Sequence, residues 1–544
     1  MSNIVPAAPS TGIAGFADLL RSALDDSRHL APATAAAVAC RGELVAVDLH
    51  GAPRRDPART AEGTVFRIAS MTKSFLAATA LALRDDGVLD LHAPAAEYVP
   101  GLAAATFGGR PVSLSLAALL SNRAGLTEDN AWGDEHLGEP RTHISELVES
   151  GLPLSTFPDT EYQYSNLGIS MIGRAIEAVA DAPVERVMRE RIIEPLGLSH
   201  TRPEASQYPQ GSDLAAGFRT FDEGRTFSPE PYVGSGALAC IGSLFSTLGD
   251  IARWMHFLGS AFSDSPLAPD VLSAESRREL QSVRTMIPAS GARFEGRDVD
   301  GVGYGYGVVV EHDRRFGRIV QHAGGLPGFS SHMRWHVASG VGVIVFGNSD
   351  AFRAGAVASR ALNDALTAVD APAAVVRPWP QTLAAASALD ALVLDDRPLS
   401  DVSGLLARNV LRDVPLEVRA ARMRAAHDEV GRPLRTAAPL ADRVVTARDA
   451  ASLRWRIPCE RGTLICDVHL MGLREPIVQS FSVRVGDGTR PRGESADVSE
   501  HYAVQLPRIT EESLHPAQRP AGGSSGADAS RSACSTVDDT SAER

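Results

Sequence analysis

The sequence predicts an α/β fold of the α+β kind. An antiparallel sheet is packed with helices plus a helical subdomain, followed by a small α+β C-terminal domain. Three observations predict it. Apolar runs of strand length occur as a pair near the N-terminus and as a set of four past residue 300. Between these sets, apolar residues recur mainly at helical spacing from Leu89 to about Phe257. Pro372, Pro378 and Pro380 then interrupt the pattern at about residue 375, before a second set of alternating runs begins. With 544 residues, 44% of them hydrophobic, the chain is long enough to bury more than one core.

The elements follow in order. Phe16, Leu19, Leu20 and Leu24 share one face of a first helix. Two strands, 35–40 and 43–49, are joined at Arg41-Gly42, and a short strand over 65–68 leads into Ser70. Residues 70–84 run at helical spacing and stop at Gly87. Helices are expected over 167–179 and 248–258, the second opened by Ser246-Thr247 with Asp250 in its first turn. Four antiparallel strands are expected over 306–312, 318–322, 331–337 and 341–346, then a helix over 352–369. Beyond the prolines come a helix over 416–430 and three period-two runs: Leu453, Trp455 and Ile457; Leu464 to Leu470; Ile477 to Val485. From Ser513 the chain is rich in Gly, Ser, Ala and Asp, a composition expected to be disordered. The domains read as 10–370, 376–510 and a tail over 513–544.

Charge narrows the function classes. The 66 acidic residues outnumber the 53 basic ones, for a net charge of −13, which disfavours a general nucleic-acid binder. No apolar run is long enough to span a membrane, and Met1 to Ser10 lacks the pattern of a secretory signal. The expected compartment is therefore the cytoplasm. The five cysteines Cys40, Cys240, Cys459, Cys466 and Cys534 form no C-x-x-C pair or zinc spacing, so reduced thiols are expected and no metal or other cofactor. Of the 53 basic residues a single one is lysine, Lys73. Arginine replaces lysine on a surface but cannot accept a proton, so this lysine is a candidate for chemistry that needs a deprotonatable amine.

Lys73 stands in Ser70-Met71-Thr72-Lys73. On a helix, positions i and i+3 share a face, so the amine reaches the Ser70 hydroxyl. Ser70 at the helix N-terminus gains from the dipole and free N–H groups, and a desolvated lysine serves as its base. The motif resembles the nucleophile motif of serine β-lactamases and penicillin-binding proteins. Tyr164-Ser165-Asn166 is similar to the family's second element, and His322-Ala323-Gly324 to its third. The resemblance covers about residues 10–370 and implies the β-lactamase/transpeptidase-like fold. Ser70, Tyr164 and His322 should then converge between sheet and helices.

The roles the resemblance implies are these. Ser70, Lys73 and Tyr164 are catalytic. Tyr164, as a phenolate near Lys73, shares general-base work and protonates the leaving group. Asn166, holding Lys73, and His322 and Gly324 bind substrate; the N–H groups of Ser70 and Gly325 form the oxyanion hole. Where the familiar β-lactamases carry Lys-Thr-Gly, this chain carries His-Ala-Gly, which resembles the D-aminopeptidase and esterase branch. An uncharged His322 would pair weakly with a substrate carboxylate. The expected activity is a serine acyl hydrolase with an acyl-Ser70 intermediate. It would act on small amides, D-amino-acid peptides or short esters. A true β-lactamase, a D-Ala-D-Ala carboxypeptidase and a non-turnover penicillin-binding sensor are the alternatives. The expected partner is a small-molecule or short-peptide substrate, not a nucleic acid or a membrane, with a homo-oligomer left open. Gly522 to Gly526 satisfies G-x-S-x-G within the low-complexity tail and carries no weight. Trp132 and Asp134, in the loop 129–138, are placed at the cleft mouth by loop position, and His332 and His336 read as packing residues.

Overall fold

The structure, a computed structural model, describes residues 13–54, 59–288, 299–434, 438–486 and 502–506. Its largest sheet has eight strands. In spatial order they are Thr285–Met286, Val299–Tyr304, Val309–Asp313, Gly317–Leu326, Phe329–His336, Val341–Gly347, Ala33–Cys40 and Glu43–Gly51. Every pairing is antiparallel. The N-terminal hairpin therefore closes onto the last strand of the late set, with Ala36 opposite Val345 on one side and Asp48 on the other. Arg41 and Gly42 turn that hairpin with φ of +49° and +85°, the two positive values that a two-residue turn matched to strand twist requires.

Ala33–Cys40 is rich in alanine and buried on both faces. Ala35, Ala37 and Ala39 join the core shared with the helical subdomain, while Ala36 and Val38 join a second core under the helices Ile13–Leu24 and Ala354–Ala368. Small side chains on both faces let helices pack close to the sheet. The helical subdomain includes Thr72–Asp85, Asn166–Ala180 and Leu248–Gly259. Two of these are capped by hydroxyls: Ser165 Oγ accepts from Gly168 N–H at 2.9 Å, and Thr247 Oγ1 from Asp250 N–H at 3.3 Å.

Three expectations are corrected. The strand expected over 306–312 is Val309–Asp313, and Val299–Tyr304 is a further strand that the pattern did not show. Glycines dilute its alternation, and one has a steric reason: a Cβ on Gly303 would lie 2.3 Å from Val283 Cγ1. Second, the proline-marked linker contains structure. Ala374–Val376 pairs in parallel with Tyr502–Val504, and Pro380 opens the helix Pro380–Leu394, where its missing N–H costs nothing. Third, Ser70 precedes its helix by one tighter turn, as described below.

The smaller C-terminal part packs Pro380–Leu394 and Leu416–Val430 with a four-stranded antiparallel sheet, Val444–Thr446, Ser452–Pro458, Thr463–Met471 and Ile477–Val485. Trp455, Leu464, Cys466 and Phe481 contribute to a core of its own. Cys40, Cys240, Cys459 and Cys466 are free thiols. The tail expected from Ser513, with Gly522 to Gly526 and Cys534, lies outside the described residues. Among the described residues no helix is long and apolar enough to cross a membrane.

Candidate active site

The Ser70 turn is built by its neighbours. Phe66–Arg67 pairs with Phe245–Ser246, and the Ile68 N–H donates to the Leu244 carbonyl at 2.9 Å. The chain then bends through Ala69, whose φ is +49°; a non-glycine residue there costs about 1–2 kcal/mol. Ser70 lies on the 3₁₀ turn Ala69–Met71, ahead of the α-helix Thr72–Asp85. Thr72 Oγ1 donates to the Ala69 carbonyl at 2.7 Å and accepts from Leu244 N–H at 3.3 Å. Ser331 Oγ donates to the Ile68 carbonyl at 2.8 Å. Helix and sheet together hold the strained turn in place.

Lys73 is fully buried, and its Nζ donates to Ser70 Oγ at 2.8 Å and to the Ile241 carbonyl at 3.2 Å. The amine also lies 5.0 Å from the Tyr164 ring centroid. Burial disfavours the ammonium and pushes the Lys73 pKa down to about 7, against the opposing pull of Asp134 and Asp129. Tyr164 has Ser70 as a hydrogen-bonding neighbour, yet burial pushes its phenol well above the usual range. At neutral pH Tyr164 is therefore a phenol and not the phenolate expected from the sequence. The Lys73 amine, by contrast, has its pKa brought close to neutral pH.

Asn166 is fully buried at the start of the helix Asn166–Ala180. The Asp129 carboxylate receives the N–H groups of Asn166 and Leu167 at 2.6 and 3.0 Å and the Ser165 hydroxyl at 2.9 Å. The Asn166 amide nitrogen lies 3.4 Å from both the carbonyl and Oδ1 of Asn130. It turns to the helix Asn130–Glu135, and Lys73 finds its partners in Ser70 and Ile241 instead. Gly133 permits this contact, since a Cβ there would lie 2.4 Å from that of Asn166. Asp134, on the same short helix, feels the charge of Lys73, and burial raises its carboxyl to about 6. Trp132 stacks on His136 at 4.5 Å.

The strand Gly317–Leu326 forms the opposite wall. Its pairing with Val309–Asp313 ends at Gln321, while its other edge stays paired with Phe329–His336 through Leu326. One edge from His322 onward thus lacks a strand neighbour among the described residues. A Cβ on Gly324 would lie 2.1 Å from Ser331 Oγ and 2.3 Å from the Ile68 carbonyl, so glycine lets the strand meet the Ser70 turn. A Cβ on Gly325 would meet nothing within 4 Å. His322 is buried, with Nε2 3.0 Å from the Tyr304 hydroxyl and Nδ1 2.6 Å from the Ala323 carbonyl. Burial, then the Lys73 charge, pushes its pKa down to about 3.

The structure thus brings Ser70, Lys73, Tyr164, Asn166, His322, Gly324 and Gly325 to one seam between sheet and helices. The sequence reading missed Tyr304 and Asp129. Glycines at 303, 305 and 307 around Tyr304 were a usable signal for a tightly packed turn, whereas nothing local marked Asp129. His336 is a packing residue, its ring nitrogens at 2.7 Å from the Phe316 carbonyl and 2.8 Å from Ser339 Oγ. Among the described residues no group of three or more His, Cys, Asp or Glu is placed to hold a metal ion.

Several known proteins are similar to this chain. It is 27% identical over 304 residues to the unguisins hydrolase ungD of Aspergillus violaceofuscus, covering 53% of each chain. It is 27% identical over 289 residues to the D-alanyl-D-alanine-carboxypeptidase/endopeptidase AmpH of Escherichia coli, covering 52% of this chain and 70% of that protein. The esterase EstB of Burkholderia gladioli is 26% identical over 387 residues, 63% of this chain and 93% of its own. The chain thus spans about half of the first of these relatives. The octameric penicillin-binding protein homologue from Pyrococcus abyssi shares the fold with a TM-score of 0.54 at 18% identity, over 85% of this chain and 92% of that one. That coverage is more than residues 10–370 alone can supply, so the likeness of fold continues past the proline-marked segment. The sequence profile of the family described as β-lactamase matches residues 16–367, and the chain belongs to that family of serine hydrolases.

Proposed function

We propose that the protein is a serine acyl hydrolase acting through an acyl-Ser70 intermediate on small amides, D-amino-acid peptides or short esters. The observation that carries this reading is the fully buried Lys73 amine 2.8 Å from the Ser70 hydroxyl. The neutral amine takes the Ser70 proton as Oγ attacks the carbonyl carbon. The tetrahedral oxyanion is received by the N–H groups of Ser70 and Gly325. The Tyr164 hydroxyl passes a proton to the leaving group and is reprotonated from Lys73. Water then attacks the acyl carbon as Lys73 takes its proton, the bond from that carbon to Ser70 Oγ breaks, and Lys73 returns the proton to Oγ as the acid leaves. The free edge after Gln321 gives an extended substrate a place to lie, bound through Gly324 and Gly325.

Substrates without a carboxylate at the bound end suit a site whose His322 is uncharged and whose other nearby ionisable groups include Asp129 and Asp134. The relatives, a hydrolase, a carboxypeptidase/endopeptidase and an esterase, span amide and ester chemistry. The 70% coverage of the E. coli carboxypeptidase/endopeptidase favours D-Ala-D-Ala carboxypeptidase activity as the second reading. A sensor that never turns over is the weaker one, because it has no need of the base. The hydrolase domain is proposed as residues 10–370 and an appended domain as 376–510. The free thiols support the cytoplasm, and a homo-oligomer is compatible with the fold.

The test is a panel of nitrocefin, D-alanine anilide and a short p-nitrophenyl ester, with Ser70→Ala and Lys73→Arg as controls. Lys73→Arg keeps a long basic side chain but one that stays protonated and cannot accept a proton. It should lower kcat by at least ~10³-fold, the scale of losing a base that acts as one unit with its nucleophile. Near-normal turnover in that variant removes Lys73 from the mechanism. Higher kcat/KM for nitrocefin than for both other substrates replaces this branch with a true β-lactamase.

A further inference from the structure

His322 stands where the family motif places a residue for the substrate, yet neither of its ring nitrogens is free. A carbonyl oxygen only accepts, so the Nδ1 facing Ala323 at 2.6 Å carries the proton. The Nε2 of the neutral ring is then an acceptor, and the Tyr304 O–H, 3.0 Å away, is the donor. Tyr304 is fully buried, and its phenol is held well above its usual range, so it stays a donor at every working pH. The groups around the imidazole come from four elements. Tyr304 ends the strand Val299–Tyr304, and Tyr164, with ring centroids 6.5 Å apart, precedes the helix Asn166–Ala180. Lys73 projects from Thr72–Asp85, and the Ala323 carbonyl belongs to His322's own strand. No carboxylate is among the groups that shift His322; the Ala323 carbonyl alone favours the imidazolium, and burial and the Lys73 charge outweigh it.

Tyr304 is placed by the turn that follows it. A Cβ on Gly305 would lie 2.3 Å from the Leu280 carbonyl, and one on Gly307, at φ +69°, would lie 2.4 Å from the Lys73 carbonyl. The turn is therefore seated on the backbone of the residue that serves as base, and Tyr304 is locked to the same frame.

We propose that Tyr304 is a positioning residue that occupies Nε2 of His322 and fixes the ring as a neutral Nδ1–H tautomer. The substrate then meets the uncharged backbone edge at Ala323 to Gly325, and the site selects against a carboxylate at that end. The inference rests on the acyl-hydrolase reading for its substrate and deepens it, by giving the discrimination a structural cause.

The experiment has two arms on the full chain. In the first, ¹⁵N-histidine NMR of the wild type should show His322 as the Nδ1–H tautomer with no titration between pH 5 and 8. Tyr304→Phe should raise the His322 pKa by roughly one unit, since a hydrogen bond to the neutral form is lost. A wild-type ring that is the other tautomer, or that titrates near the ordinary histidine value of about 6.5, overturns the proposal even if Tyr304→Phe does not fold. The second arm compares p-nitrophenyl butyrate with the p-nitrophenyl monoester of succinic acid. The wild type should prefer the neutral ester by at least ~10-fold in kcat/KM, and Tyr304→Phe should narrow that ratio at least ~3-fold, the scale of one modest polar interaction. His322→Gln, which offers an acceptor to Tyr304 and a donor to Ala323 without charge, should keep the ratio whatever its absolute rate. An unchanged ratio in a folded Tyr304→Phe, or a ratio lost in His322→Gln, refutes the role. Wild type that hydrolyses neither ester counts against the acyl-hydrolase reading, and the NMR arm still decides the clamp.

Discussion

Lys73 and Asp134 act on each other's charge, and burial moves both toward neutral pH: the amine down to about 7, the carboxyl up to about 6. Their signs matter for the pH profile. With Lys73 as the proposed base, turnover of a neutral ester would need the unprotonated amine, so kcat/KM should rise through an acid limb near pH 7. The Asp134 anion raises the Lys73 pKa by favouring the ammonium. Asp134→Asn removes that anion and should move the limb to lower pH by roughly one unit, the scale of losing a close opposite charge. A pH–rate series on a p-nitrophenyl ester checks it, and a limb that stays put or moves upward rules out the coupling. Asp129 is a poorer choice for this test. Its oxygens hold the start of the helix Asn166–Ala180, so its removal disturbs position as well as charge.

At the scale of elements, the strand Gly317–Leu326 does two jobs with adjacent glycines. Gly324 has no room for a methyl group between Ser331 Oγ and the Ile68 carbonyl, whereas Gly325 faces open space. Gly324→Ala should push the strand from the Ser70 turn and lower Tm, with a destabilisation of about 1–3 kcal/mol typical of overpacking. Gly325→Ala should leave Tm within about 1 °C and still reduce kcat/KM, because the added methyl enters the space a substrate would use. Thermal melts and ester kinetics on both variants separate the two effects. Equal stability losses would contradict the assignment of Gly325 to the open side.

Much of this element was legible in the sequence, since His322-Ala323-Gly324 follows an apolar run, and Ser70 and Lys73 stand three residues apart. Long amphipathic helices such as Leu248–Gly259 were legible for the same reason: periodicity is a local signal. Val299–Tyr304 was hidden because its glycines answer contacts with distant atoms, among them Val283. The phenol state of Tyr164 was hidden too, because burial is a property of the assembled site and not of the motif. Pro380 misled in the opposite direction. A proline reads as a breaker, but at the first position of a helix it is well placed.

Across the whole molecule, the buried clusters divide along the chain. Two draw on residues up to Ala371, and the third begins at Ala385. The connector belongs to the later part: Ala374–Val376 pairs with Tyr502–Val504, and Arg377 Nε donates to Gln505 Oε1 at 2.9 Å. Toward the earlier part, Arg377 forms an exposed ion pair with Asp264, a kind of contact worth at most about 1 kcal/mol. Gly317 also lies against the Ala373 carbonyl, where a Cβ would be 2.4 Å away. Ser70, Lys73, Tyr164, Tyr304 and His322 all lie in the earlier part, with hydrogen-bond partners there. A chain ended after Ala373 keeps both earlier cores and the backbone contact at Gly317. It should fold on its own and hydrolyse a p-nitrophenyl ester with kcat/KM within ~3-fold of the full chain, the tolerance expected when a domain with its own core is removed. Circular dichroism, size-exclusion mass and ester kinetics on the two chains would be compared. A truncated chain that folds but loses ~100-fold or more in kcat/KM would place part of the substrate site in the C-terminal domain. A change in mass with activity retained would instead assign that domain to assembly.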